Sequence, residues 1–359
     1  MPDFRGRLTD GKIFGTFLDN DSNPPLEKSD AGILGVAFDA TASYRKGASL
    51  GPHAIMQASH QIEYPPTGHM EKLSEMVRMH FAGILEYQDF ERHEDIDASS
   101  KAMVGDVSSL SGKMLAQKKL LAVFGGEHSI LNGPLKAIWG IQSPRDVTVL
   151  QIDAHLDMRE SFDGLEYSHG SVMRNCIEAG FKTVHVGIRD QISGKRDSGG
   201  EAEYILEKGL GDRIFFCATQ PKAFYMRNTG LKKAGIDPGN LIFNGMLDEK
   251  MLSKIGDLVK TKYLWLTIDV DGFDPSVFPG TGTPLPHGLQ LSGVESLIYG
   301  LLKSRKAKLL GFDIVEVMPQ MQSNAKEYEV QNTVSTITEM NAALLAYKIF
   351  FWNFMGKGK

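Results

Sequence analysis

Cysteine is nearly absent. Cys176 and Cys217 are the only two in 359 residues, which excludes a disulfide-stapled secreted scaffold and points to a reducing compartment. A basic excess is absent too: Lys and Arg number 39 against 44 Asp and Glu, for a formal net charge of −5. Nucleic acid is therefore not expected as a partner, because its binding normally leaves a Lys/Arg footprint. No apolar run reaches bilayer length. The most apolar late stretch, Ala342–Met355, is interrupted by Lys348 and Asn353, whereas a spanning helix needs about 20 apolar residues. The N-terminal MPDFRGRLTD contains no apolar h-region, so no secretory signal is expected. No repeat period and no low-complexity tract are visible. What remains is the composition of an ordinary soluble protein, 42% hydrophobic and 23% charged. The expectation is a cytoplasmic protein with neither a membrane nor a nucleic-acid partner.

Residues 1–30 are polar and turn-rich, with Pro24 and Pro25 after Asp19, Asn20, Asp21, Ser22 and Asn23. They read as an N-terminal extension that wraps a neighbour or stays loose, ahead of a single domain over 31–359. From residue 31 onward short apolar runs recur at Ala31–Phe38, Leu120–Phe124, Val147–Ile152, Thr183–Ile188, Arg213–Cys217, Tyr263–Ile268 and Lys308–Ile314. Several are apolar at consecutive positions, the pattern of strands covered on both faces. Helical patterns lie between them. Pro52 follows Gly51 at a helix start, where its missing N–H costs nothing. Val294, Leu297, Ile298 and Leu301 fall three and four apart, with Ser292 as the expected N-cap. Thr336–Phe354 reads as a long helix packed on the sheet or on another subunit. Alternating strands and helices imply a parallel sheet with right-handed crossovers, and ligands bind beyond the carboxyl ends of such strands.

Acidic and histidine clusters stand at those ends. Gly125, Gly126, Glu127, His128 and Ser129 follow the second run. Asp153, Ala154, His155, Leu156 and Asp157 follow the third. Asp269, Val270, Asp271 and Gly272 follow the sixth. In extended chain, positions i, i+2 and i+4 share a side, so Asp153, His155 and Asp157 converge, as do Asp269 and Asp271. One aspartate at a strand end is ordinarily a helix cap. Six ligand-type residues in three clusters are different, because grouped carboxylates repel unless a cation lies between them. Two imidazoles and four carboxylates suffice for two divalent ions, and such an N/O shell suits Mn²⁺ and its neighbours.

The strings GGEHS, DAHLD, SHGS, DVDGFDP and GTGTP, in this order, resemble the signature set of the ureohydrolases, the arginase and agmatinase family, over about Phe38 to Pro319. The resemblance implies an arginase-like α/β fold: three α/β/α layers around a mostly parallel sheet of about eight strands. It also implies two Mn²⁺ per subunit, with Ni²⁺ and Co²⁺ as alternatives, and hydrolysis of a guanidino group to urea. By position, one metal would take His128, Asp153, Asp157 and Asp269, and the other His155, Asp153, Asp269 and Asp271, with Asp153 and Asp269 shared. His169, in Ser168-His169-Gly170-Ser171, would shuttle protons or orient substrate. Glu316 would pair with the guanidinium, and Asp157 would handle the proton of the attacking water.

The resemblance implies a small guanidino compound as substrate. Arg159 stands where the arginase branch usually has Asn, and Glu127 together with FPGTGTP is closer to agmatinases, so agmatine is the first expectation. Arg159 would instead attract the carboxylate of a guanidino acid. His287, where the family commonly has Gly, would narrow the pocket, and the long segment 68–111 would build a different entrance. Guanidine and guanidino acids (guanidinase or guanidinobutyrase activity) are therefore the alternatives, ahead of arginine and of formimidoylglutamate. A single-metal deacetylase-like enzyme and a non-catalytic metal-stabilised scaffold are the readings from other classes. The first would need neither His128 nor Asp157. The family usually forms trimers or hexamers. The apolar segment Ala342–Phe354 is expected at such an interface, since large exposed apolar patches mark one.

Overall fold

All seven apolar runs become strands. The computed structural model describes residues 3–9, 17–18, 23–62, 73–194, 200–219, 229–325 and 327–355. In chain order the strands of the main sheet are β1 (Arg7–Thr9), β2 (Ala31–Ala37), β3 (Met79–Glu86), β4 (Leu120–Gly125) and β5 (Val147–Ile152). They continue as β6 (Lys182–Ile188), β7 (Ile214–Ala218), β8 (Leu241–Phe243), β9 (Tyr263–Asp269) and β10 (Lys308–Val315). They lie in the order β1-β3-β2-β4-β10-β9-β5-β6-β7-β8. Every pairing is parallel except that of β1 with β3. Ten strands exceed the eight or so anticipated because β1 and β8, three residues each, close the two edges. Such short edges carry too few apolar residues to be read from a sequence. They also leave little unpaired backbone to recruit another chain. The N-terminal stretch thus contributes Arg7–Thr9 to the sheet of its own chain.

Successive residues of the buried strands feed two separate cores. Ala122 and Phe124 of β4 join Ile152, Leu266 and Phe312 on one face, while Leu121 and Val123 join Val149 and Trp265 on the other. This is the period of two for a sheet covered on both sides, and it makes the three α/β/α layers. The helices Gly51–Ser59, Leu291–Ser304 and Ile337–Phe354 cover the first face. His93–Ala116, Asn132–Trp139 and Glu201–Lys208 cover the second. Val294, Leu297, Ile298 and Leu301 are buried as their spacing requires, but Gln290, in extended backbone, is the N-cap. Ser292 sits inside the first turn, where its carbonyl accepts the Ser296 hydroxyl.

The C-terminal helix corrects one expectation. Ala342, Ala343, Leu345, Ala346, Ile349, Phe350 and Phe351 are all buried within the chain itself, with Phe350 against Phe312 and Phe17. From Ala342 to Phe351 its apolar surface is used intramolecularly, so that stretch is not the exposed interface expected. Among the described residues no helix is long and apolar enough to cross a membrane. Cys176 and Cys217 are both free and buried.

Candidate metal centre

Four neighbouring strands, β4-β10-β9-β5, occupy the middle of the sheet. Every predicted site residue but His169 lies within five positions of their carboxyl ends. Parallel register brings together groups far apart in sequence: the His128 N–H donates to Glu316 Oε1 at 2.9 Å across 188 residues. Gly126 makes the approach possible, because a Cβ there would lie 1.9 Å from the Phe38 carbonyl oxygen. Close packing is what this glycine serves.

His128 is fully buried. Its Nε2 lies 2.7 Å from Thr267 Oγ1, and that hydroxyl donates to Asp313 Oδ1 at 2.6 Å. Asp313 is held in turn by Trp265 Nε1 at 2.6 Å. Since the Thr267 proton is committed to Asp313, Nε2 of His128 must be the protonated nitrogen, and Nδ1 carries a lone pair. Around that Nδ1 stand Asp157 Oδ2 at 3.0 Å, Asp153 Oδ2 at 3.1 Å and Asp269 Oδ2 at 3.6 Å, and it has no hydrogen-bond partner. A bare nitrogen facing three buried carboxylate oxygens is stable only around a cation. The surrounding charges ask for positive charge at this same point, a proton or a cation. Burial opposes a charge on His128, yet Asp153 and Asp157 outweigh it and raise its pKa well above the ordinary value. Burial, then the charge of Asp153, pushes Asp157 up to about 7. Burial, then Asp271 and Asp153, raises Asp269 far above the carboxylate range.

His155 repeats the arrangement next door, with Nδ1 3.0 Å from Asp271 Oδ2 and 3.6 Å from Asp153 Oδ1. Two triads whose ligand atoms lie within 4.8 Å of one another result: His128, Asp153 and Asp269, and Asp153, His155 and Asp271. Asp153 is common to both. Asp269, expected to be shared as well, is in the first, and its Oδ1 accepts the Asp271 N–H at 2.9 Å. The remaining lone pairs are tied down by the His155 N–H on Asp153 Oδ1 at 2.6 Å, the Ala154 N–H on Asp271 Oδ1 at 3.1 Å and the Thr283 hydroxyl on Asp271 Oδ2 at 3.0 Å. Gln151 donates to Asp153 Oδ2 at 2.6 Å, and its own carbonyl oxygen contacts His185 Nδ1. The donor set, mixed imidazole and carboxylate with orienting partners behind it, fits hard or borderline divalent ions.

A cavity of about 270 Å³ opens onto these groups, lined also by His169, Glu316, Arg159, Phe162 and Asp190. Glu316 is buried and has a left-handed backbone (φ 61°), as does Asp157 (φ 53°). Non-glycine residues rarely accept this conformation, and it is concentrated at sites where aim matters. Burial, then the charge of Glu127, raises the Glu316 pKa well above its usual value. His169 lies against Phe162, ring centroids 4.9 Å apart. Burial, then the neighbouring His155 and His128, lowers its pKa to about 4, so it is neutral near pH 7. Arg159 stacks over Phe162 at 5.0 Å on the rim. His287 is exposed, with φ 64°, and does not line the cavity, so it does not narrow it. Residues 73–111 contribute nothing to the lining either, and 68–72 lie outside the described residues. Asp190, whose side chain is 42% exposed at the mouth and 3.8 Å from His155 Nε2, escaped the sequence reading. It follows a strand without any accompanying His or Asp cluster.

A sequence model of the arginase family matches residues 29–213 and 242–351. The N(1)-aminopropylagmatine ureohydrolase of Synechocystis sp. is 30% identical over 341 residues, 94% of this chain and 93% of that one. The agmatinase of Pyrococcus horikoshii is 27% identical, over 88% and 94% respectively. Among solved structures, proclavaminate amidino hydrolase from Streptomyces clavuligerus superposes with a TM-score of 0.67 at 22% identity, covering 95% of this chain and 97% of that one. Agmatine ureohydrolase of Thermoplasma volcanium does so with a TM-score of 0.63 at 23% identity, covering 92% of both.

Proposed function

Since the chain belongs to the arginase family, we propose that it hydrolyses a guanidino C–N bond to release urea and an amine, with agmatine the first-choice substrate. The observation that carries this is the pair of imidazole–carboxylate triads beside Glu316, which accepts the His128 N–H at one oxygen and lines the same cavity. His128, Asp153, Asp157, Asp269, His155 and Asp271 would hold two divalent ions, Mn²⁺ first and Ni²⁺ or Co²⁺ as alternatives. Two such ions supply Lewis acidity, bringing the pKa of water down towards about 7. The protein's own residues do the rest. Glu316 keeps one oxygen on the His128 N–H and offers the other to the planar guanidinium as a charge-assisted acceptor, which fixes the orientation of the carbon. Asp157 takes the proton of the attacking water and passes it to the departing nitrogen, which must leave as a neutral amine. His169, neutral and at the cavity wall, takes the second proton of that water as urea forms and passes it to solvent.

The tail of the substrate would extend past Asp190, whose carboxylate suits a cationic end such as that of agmatine. The agmatinases and aminopropylagmatine ureohydrolases among the relatives favour the same class. Arg159 on the rim favours a second reading, a guanidino acid whose carboxylate it would attract. A panel of agmatine, its aminopropyl derivative, guanidine, 4-guanidinobutyrate and arginine, assayed for urea with each metal supplied separately, decides between them. Release from none of the panel under metal saturation would overturn the assignment. We further propose a cytoplasmic homotrimer or homohexamer. The exposed Val330, Val334 and Ile337 are candidates for its contacts, and light scattering that finds only one chain's mass, 39.6 kDa, would remove it.

A further inference from the structure

Thr41 lies just beyond the carboxyl end of β2 and is buried. The preceding turn is pinned by Asp39, which accepts the N–H groups of Gly47 at 2.7 Å and Ser49 at 3.1 Å. Two groups of Thr41 reach the fully buried carboxylate of Glu127: its hydroxyl donates to Oε1, and its N–H donates to Oε2 at 2.9 Å. Ser129 supplies a further O–H to Oε1 at 2.6 Å. A hydroxyl has one proton, and this one is committed to Glu127. Thr41 Oγ1 can therefore only accept on its other side. Two donors of His169 face it there, the backbone N–H at 3.3 Å and Nδ1 at 3.4 Å. Nδ1 must then carry the imidazole proton, leaving Nε2 as the basic nitrogen. Phe162 closes against the ring at a tilt, so the imidazole is held both by a ring contact and by one hydrogen bond.

We propose that Thr41, anchored by Glu127, is a positioning residue that sets the tautomer and orientation of His169. The inference rests on the proton-exchange role given to His169 above. A base must present its unprotonated nitrogen to the proton it takes, and the partner of the other nitrogen decides which one that is. Among the described residues no other group is recorded at Nδ1 to favour one tautomer over the other.

The test uses Thr41→Val, which keeps the volume and the backbone N–H to Glu127 but removes the hydroxyl. In the full-length, metal-loaded enzyme kcat should fall by about 10- to 100-fold, since a positioned acid–base group is worth about 10²- to 10⁴-fold and only part of that is forfeited. KM should stay within about threefold and bound metal should be unchanged. Thr41→Ser, which restores the hydroxyl, should recover activity to within about threefold of the parent. In a His169→Ala background Thr41→Val should add less than about twofold. Equal losses in Thr41→Val and Thr41→Ser, or effects of Thr41→Val and His169→Ala that multiply, would overturn the inference. So would a normal Thr41→Val enzyme beside an impaired His169→Ala. A normal His169→Ala enzyme would instead remove the role of His169 itself. One measurement needs no stable Thr41 variant. ¹⁵N imidazole spectra of the unmutated protein with Zn²⁺, assigned by difference against His169→Ala, should show His169 protonated at Nδ1, and protonation at Nε2 overturns the inference.

Discussion

Replacing Glu316 by Gln conserves shape and removes one charge, and the surroundings make the consequence sharper than charge alone. The carboxylate has acceptor capacity for both the His128 N–H, 2.9 Å from Oε1, and a guanidinium at the other oxygen. A glutamine has a single acceptor oxygen. If it stays on His128, the NH₂ group is turned towards the substrate and opposes another donor. If it turns to the substrate, the buried His128 N–H loses its partner. Either way one buried hydrogen bond fails in addition to the lost ion pair. Losing the partner of a desolvated, hydrogen-bonded charge costs about 2–4 kcal/mol. At about 1.4 kcal/mol per decade that is roughly 30- to 1000-fold in kcat/KM. Metal content should be unchanged, since Glu316 belongs to neither triad. The assay is urea release on the best substrate of the panel, with bound metal measured on the same preparation. A kcat/KM within about threefold of the parent, at full metal occupancy, would refute the reasoning: the guanidinium would be held elsewhere.

Two further outcomes are expected. His128→Ala or Asp271→Ala should lose one equivalent of metal and most of the activity while the far-ultraviolet circular dichroism persists. Two full equivalents in either variant would mean that the ligands are assigned wrongly. His185, whose pKa burial lowers to about 3 from 6.5, is neutral when folded but binds a proton when unfolded below about pH 6.5. Its contribution is therefore complete above that pH and is lost as the pH falls towards about 3, at about 1.4 kcal/mol per unit. Urea unfolding in chelator should show the parent losing stability more steeply than His185→Asn between pH 6.5 and 4, and parallel slopes would contradict the assignment.

The ligand clusters were legible because each is local. Asp153, His155 and Asp157 span five positions after an apolar run, which is enough to keep them at one site although the chain has left the strand and Asp157 is left-handed. The partnership between clusters was not legible from pattern. That β10 lies between β4 and β9 is a tertiary fact, and only that order sets Glu316 against the His128 N–H. The C-terminal helix shows the same limit: its apolarity was plain, but whether a sheet or a subunit covers it depends on where the sheet leaves a face open. Ser292 was a reasonable cap by residue type and lost to Gln290 because the chain before it, tied by the Gln290 N–H to the Gly245 carbonyl, leaves extended geometry two residues earlier. Thr41 had no signal at all, since a single hydroxyl in a turn-rich stretch looks like any other.

One class of signal was present and had no reader. Within the most apolar strands stand single polar residues: Gln151 in β5, His185 in β6, Thr267 in β9 and Asp313 in β10, all fully buried. Each would cost the strand roughly 1–3 kcal/mol if left without a partner, so its presence demands one. Two of them precede a ligand by two residues, Gln151 before Asp153 and Thr267 before Asp269, and therefore face the same side of the sheet as that ligand. Gln151 does hold Asp153 directly, whereas Thr267 reaches across to His128 on the other side of β10 and is itself held by Asp313. A polar residue two places before an acidic strand end is thus the local trace of a supporting hydrogen bond. The site it supports need not belong to its own strand.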